Sequence, residues 1–148
     1  MPTITPFLWF DTQAEEAMNH YVSIFKDAKV LDVSRNGDTV FSVRFSLKGQ
    51  EFIGLNGGPL FKFNESISFS VDCADQKEVD YYWERLGEGG EFSQCGWLKD
   101  RFGLSWQIVP RQLGQLLGNP DPVKAGKVMQ AMLQMAKLDI AGLEAAAK

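Results

Sequence analysis

Between Thr3 and Phe10 the chain is dense in Thr, Ile, Phe and Trp, a composition that predicts a β-strand. Beyond it, Ala14, Ala17, Met18, Tyr21, Val22 and Phe25 recur at helical spacing and give one apolar face. Thr12, with Glu15 three residues on, has the form of a capping box and predicts where that helix begins. A short strand is expected near Lys29 to Ser34. From Val40 to Leu47 the pattern switches to strict alternation: Phe41, Val43, Phe45 and Leu47 on one side, Val40, Ser42, Arg44 and Ser46 on the other. Lys48-Gly49-Gln50 predicts a tight hairpin, and Glu51 to Asn56 its return strand.

Gly57-Gly58-Pro59 interrupts the chain, and the same order of patterns starts again. Glu65 to Asp72 alternates Ile67, Phe69 and Val71 against Ser66, Ser68 and Ser70. Asp75 is placed to cap a helix, with Glu78 three residues later and Val79, Tyr82, Trp83 and Leu86 as its apolar face. Gly87 to Gly90 predicts its end. Strands are expected near Glu91 to Trp97 and Leu104 to Pro110. An offset of 61 carries Leu8 to Phe69, Phe10 to Val71, Met18 to Val79, Tyr21 to Tyr82 and Phe25 to Leu86. The later part of the second half is shorter, and there an offset of 53 matches Gly54 to Gln107. The simplest account is a doubled strand–helix–strand–strand–strand unit, with modules at about residues 1–60 and 61–110.

The remainder, residues 111–148, reads as a helical C-terminal extension. Leu113, Leu116 and Leu117 mark a short helix, Asn119-Pro120-Asp121-Pro122 a turn, and Val128, Met129, Met132, Leu133 and Met135 an apolar helical stripe continued by Ile140 and Leu143. Such a stripe packs on its own domain or on a second subunit, and a Met-rich surface also suits a binding partner.

Composition mainly removes options. The chain has 148 residues, 45% hydrophobic and 23% charged, with a net charge of -4, which fits an ordinary globular domain without the broad basic surface of a nucleic-acid binder. One histidine excludes any site needing two imidazoles from one chain. Cys73 and Cys95 form no CxxC motif, and two free thiols without a signal sequence fit a cytoplasmic setting. No run of about 18 apolar residues predicts a membrane span.

Taken with the doubled unit, Phe7-Leu8-Trp9-Phe10-Asp11, Leu55-Asn56-Gly57-Gly58-Pro59 and the stretch from Gly96 to Pro110 resemble the vicinal oxygen chelate superfamily, the fold of glyoxalase, bleomycin-resistance proteins and extradiol dioxygenases. More narrowly they are similar to its PhnB-like branch, often labelled 3-demethylubiquinone methyltransferase. The resemblance implies an α+β fold in which tandem βαβββ modules form a curved, cup-like mixed sheet. It also implies a homodimer. Metal-dependent relatives place four ligands, usually His and Glu, in the cup; the corresponding places here are Thr5 or Pro6, Gly54, Ser66 and Gln107. None is an anionic or imidazole donor, so no metal and no other cofactor is expected. His20 falls on the first helix, away from the cup. S-adenosylmethionine-dependent enzymes usually carry a glycine-rich turn after the first strand, whereas Asp11-Thr12-Gln13-Ala14 contains no glycine.

Alternation then suggests what lines the cup. With Leu8, Phe10, Ile67, Phe69 and Val71 toward the helices, Phe7, Trp9, Arg44, Asn56, Ser66, Ser68 and Gln107 are the expected ligand-pocket residues, together with Ser42, Phe52, Gly54, Ser70, Ser105 and Val109. Aromatic walls with a few polar groups suit a small-molecule pocket. The alternatives stand beside this: Trp9 as a core residue needing one hydrogen-bond partner, Asn56 and Gln107 as backbone satisfiers, Arg44 as a solvated strand residue, and Asp100 and Arg101 as turn formers. The expected function is a metal-free small-molecule binder, binding neither nucleic acid nor membrane. The alternatives are an enzyme, a methyltransferase or a lyase or isomerase in which Gln107 with Arg44 or Asp100 orients substrate and shifts protons, and an interaction module working through the tail.

Overall fold

A computed structural model describes residues 3–148. The chain divides into two compact units, the first ending at Phe63 and the second comprising Asn64–Lys148. The first holds β1 (Phe7–Phe10), α1 (Ala14–Ile24), β2 (Ala28–Asn36), β3 (Thr39–Leu47) and β4 (Gln50–Asn56). The second holds β5 (Ser68–Cys73), α2 (Gln76–Gly87), β6 (Glu91–Phe92), β7 (Trp97–Lys99) and β8 (Ser105–Pro110), followed by α3 (Arg111–Leu117), α4 (Pro122–Leu133) and α5 (Ile140–Ala146).

The two four-stranded sheets have the same order, β1-β4-β3-β2 and β5-β8-β7-β6, with the first pair of each parallel and the rest antiparallel. The fold is therefore α+β with tandem βαβββ modules and a helical tail. In the first unit Leu8, Phe10, Val43, Phe45, Leu47 and Phe52 pack beneath Ala14, Ala17, Met18, Tyr21 and Ile24 of α1. In the second, Val71, Leu98, Trp106 and Ile108 form the buried sheet side, and Val79, Tyr82, Trp83 and Leu86 the buried face of α2. The tail adds its own core of Leu113, Val128, Leu138 and Leu143, against which Val109 of β8 packs.

Local chemistry explains several boundaries. Asp75 caps α2 by accepting from the Glu78 amide at 2.9 Å, while Glu78 reaches back to the Ala74 amide at 2.7 Å, so two unpaired donors are satisfied at once. Lys48 and Gly49 both take positive φ, 51° and 86°, the twist a two-residue hairpin needs. At the outer edge of the first sheet, β2 pairs only with β3, and its register breaks between Val30 and Asp32 and again between Ser34 and Arg35.

Other expectations are corrected. The first strand starts at Phe7 rather than Thr3, and the second module's first strand at Ser68, leaving Ile67 in a bend, 67% exposed instead of facing α2. Thr12 does not form the expected capping box: the N-cap position of α1 is Gln13, and the Ala14 amide is satisfied by Asn56 Oδ1 at 2.8 Å. The stretch from Glu91 to Trp97 is no single strand, because Ser93–Gly96 turns between β6 and β7. Among the described residues no helix is long and apolar enough to cross a membrane.

Candidate functional site

Strand pairing decides which side chains share a face. Leu8 stands beside Gly54 and Val43, and a Cβ on Gly54 would come 2.9 Å from Val43 and 3.5 Å from Ala14, so this row lies under α1. The opposite, open face of the first sheet carries Phe7 beside Ile53 and Arg44, then Trp9 beside Leu55 and Ser42. In the second sheet Phe69, Trp106 and Leu98 form the matching inner row, leaving Ser68, Ser105 and Lys99, then Ser70, Gln107 and Trp97, on the open face.

Gly54 thus matches Trp106, an offset of 52, not Gln107. One residue of error in a strand exchanges its faces. Phe52, Gly54 and Asn56 therefore pack on the α1 side, where sequence alternation had set them on the open side. Phe52 stacks on Phe45 at 5.4 Å. Asn56 accepts from Ala14 N–H and donates to the Val40 carbonyl at 3.2 Å. It borders an open, acidic cleft of about 740 Å³ lined by Asp11, Glu15, Glu16, Asn36 and Thr39, but its own amide is occupied by the backbone.

The other expected residues fall as follows. Phe7 is exposed on the first unit's open face. Trp9 folds over Gly57, where a Cβ would approach its ring to 2.5 Å, and donates to the Gly58 carbonyl at 2.9 Å with Phe61 edge-on at 4.9 Å. Its indole is therefore satisfied within the turn after β4. Arg44 is half-exposed and lies 3.7 Å from Glu51. Ser66 sits in an exposed turn, bonded to Asn64. Ser68 and Gln107 come together, Gln107 Nε2 donating to Ser68 Oγ at 2.9 Å. Asp100, weighed for proton transfer, is instead buried and accepts from the Phe102 and Leu104 amides and from Trp106 Nε1.

Beside Ser68 and Gln107 the second unit has a cavity of about 260 Å³ lined by Glu65, Glu91, Phe92, Ser93, Trp97, Leu98, Lys99 and Ser105. Ser105 is 1% exposed, and its hydroxyl has no hydrogen-bond partner. A buried hydroxyl left unpaired is costly, so one that borders a cavity marks a place for an incoming polar group. Lys99 and Glu65 form an ion pair at the rim. The hydrogen bond from Lys99, then its charge, holds the Glu65 carboxyl below its usual range, and the bond to Glu65 raises Lys99. Sequence alternation placed Ser105 inward but did not single it out; burial without a partner is visible only in three dimensions.

The residues that the resemblance set at the metal-ligand places do not fit a divalent ion. Gly54 faces α1, Ser66 is tied to Asn64, and Gln107 is tied to Ser68. Among the described residues no three His, Cys, Asp or Glu side chains cluster so as to hold one.

Residues 2–109 match the 3-demethylubiquinone-9 3-methyltransferase family. A PhnB protein of Bacillus cereus is 32% identical over 74% of this chain and 99% of its own, with a TM-score of 0.69. A glyoxylase/bleomycin resistance protein/dioxygenase domain of Frankia is 20% identical over 74% of this chain and 92% of its own, TM-score 0.52. The FosX fosfomycin resistance protein of Listeria monocytogenes, solved with Mn(II) and sulfate, is 17% identical over 72% of this chain and 89% of its own, TM-score 0.50. The latter two likenesses concern the fold alone. No curated protein matches the chain.

Proposed function

Because the chain belongs to the 3-demethylubiquinone-9 3-methyltransferase family, a PhnB-like branch of the glyoxalase fold, we propose that it binds a small molecule on an open sheet face without a metal ion. The observation that carries this reading is the buried, unpartnered Ser105 hydroxyl at the cavity beside Lys99, Trp97 and Phe92. Its ligand offers Ser105 a hydrogen-bonding group and lays an apolar portion against the ring of Trp97, which shares that face. The cavity's size favours a compact ligand, below most drug-sized sites.

Methyl transfer, which the family's name carries, is the alternative. It requires a methyl donor beside the acceptor, and neither unit has a glycine-rich turn between its first strand and helix. The proposed assembly is a homodimer in the cytoplasm: each sheet ends in strands paired on one side only, and such edges favour association. Light scattering giving the mass of one chain overturns the dimer.

The binding reading is tested by thermal-shift screening of wild type and Ser105→Ala against quinones, aromatic antibiotics, phosphonates and S-adenosylmethionine. A hit that stabilises wild type and loses at least about tenfold in affinity with the variant supports it, as expected for one hydrogen bond lost in a buried site. Equal affinity for both proteins overturns the placement. Stoichiometric divalent metal in protein purified without chelator overturns the metal-free part.

A further inference from the structure

The family match ends at residue 109, yet the helical tail beyond it is bonded to the turn that forms one wall of the cavity. Ser93 and Trp97 line the cavity, and the turn between them is closed by Ser93 N–H to the Trp97 carbonyl at 2.9 Å. At its apex Cys95 has φ 60° and Gly96 φ 83°. Left-handed backbone is unfavourable for a cysteine and persists where its surroundings hold it. Here the connection between α4 and α5 does so: the Cys95 amide donates to the Met135 carbonyl at 2.7 Å, and the Gly96 amide to the Ala136 carbonyl at 2.8 Å. A Cβ on Gly96 would stand 2.8 Å from the Ile108 carbonyl and 3.1 Å from Leu138, so that position admits no side chain.

The same connection is anchored on its other side by the start of α2. Gln76 Nε2 donates to the Leu138 carbonyl at 3.1 Å, and Gln76 Oε1 accepts from the Ile140 amide at 2.8 Å. Gln76 also donates to Asp80, which pairs with Lys137 at 3.0 Å. One glutamine thus grips tail residues on both sides of Asp139, and the tail in turn grips the turn between β6 and β7.

We propose that the C-terminal extension is a clasp that sets the position of the Ser93–Trp97 wall, with Gln76 as its positioning residue. The inference rests on the cavity being the ligand site, and it makes tail docking and ligand binding mutually reinforcing: a docked tail holds the wall, and an occupied cavity stabilises the docked tail by the same factor. Gln76 acts through the tail and touches no ligand.

The test needs no ligand. In the full-length chain, Gln76→Ala is compared with wild type for maleimide labelling of Cys95, amide exchange at Cys95 and Gly96, and the fluorine resonance of Trp97 in protein labelled with 5-fluorotryptophan and assigned with Trp97→Phe. Loss of the two hydrogen bonds to the tail is expected to speed Cys95 labelling and both amides about tenfold and to move the Trp97 resonance. Buried Cys73 and the Trp9 resonance stay as in wild type and report intact folding. Lys137→Ala, which breaks only an exposed pair, is expected to shift the same readouts less. Unchanged labelling and exchange overturn the clasp. Faster labelling with an unmoved Trp97 resonance overturns its action on the cavity. Failure of the Ser105→Ala screen instead refutes the ligand site and leaves these readouts standing.

Discussion

The indole N–H of Trp106 donates to Asp100 Oδ2 at 2.9 Å, while Asp100 Oδ1 accepts the amides of Phe102 at 2.9 Å and Leu104 at 3.0 Å. A carboxylate only 2% exposed thus ties the turn after β7 to the inner row of the second sheet. Asp100→Ala leaves these donors without their acceptor. The expected loss is about 3–5 kcal/mol by urea unfolding, with Asp100→Asn losing less because one oxygen remains. A loss below about 1 kcal/mol contradicts the structural role.

Asn56→Ala removes the acceptor for the first amide of α1 and the donor to Val40. Stability is expected to fall by about 1–2 kcal/mol, in the range of a lost helix cap. Affinity for any ligand found in the screen is expected to stay as in wild type, since Asn56 belongs to the first unit's inner side. Denaturation and titration of the one variant check both halves.

Gly57→Ala would drive a methyl group into the ring of Trp9. The indole must then swing off its bond to Gly58, at a cost of about 1–3 kcal/mol for an overpacked site. Near-ultraviolet circular dichroism and a lowered melting temperature are the readouts. An unchanged aromatic spectrum sinks the claim that Trp9 is locked over this turn.

The Glu65–Lys99 pair sets a pH dependence of known sign. Glu65 is depressed below its usual 4.5, so its contribution is present above that value and is lost as pH falls through the depressed one. Lys99 is raised above its usual 10.5, so its contribution is present below that value and is lost as pH rises through the raised one. Between about pH 5 and 10 the pair is constant. Carboxyl titration by NMR in Lys99→Met is expected to return Glu65 toward 4.5; an unmoved midpoint removes Lys99 as the cause.

Much of the fold was legible in the chain because its signals are local. The apolar face of α2, its Asp75 cap and the Lys48-Gly49 hairpin each depend on neighbours within a few residues, and the repetition from Leu8 to Phe69 survives as matching strand order. What failed depends on partners far along the chain. No local rule shows that Asn56 caps α1 across 42 positions, or that β4 aligns with β8 at an offset of 52. That single position turned Gly54 and Asn56 from pocket to inner side, while Ser68 and Gln107, on strands read in the right phase, fell on the open face.

The two breaks in the register of β2 reach beyond its own sheet. A strand this long at an outer edge, with Val30 and Leu31 exposed, would otherwise present an even ladder of amides and carbonyls to any passing chain. The extra residue Leu31 interrupts that ladder in β2 itself, leaving the shorter run from Asp32 to Asn36 for the pairing that seeds cross-β stacking, while the second break falls on Phe41 of β3. The same irregularity that breaks the pairing with β3 therefore also shortens the surface on which a second chain could add a strand.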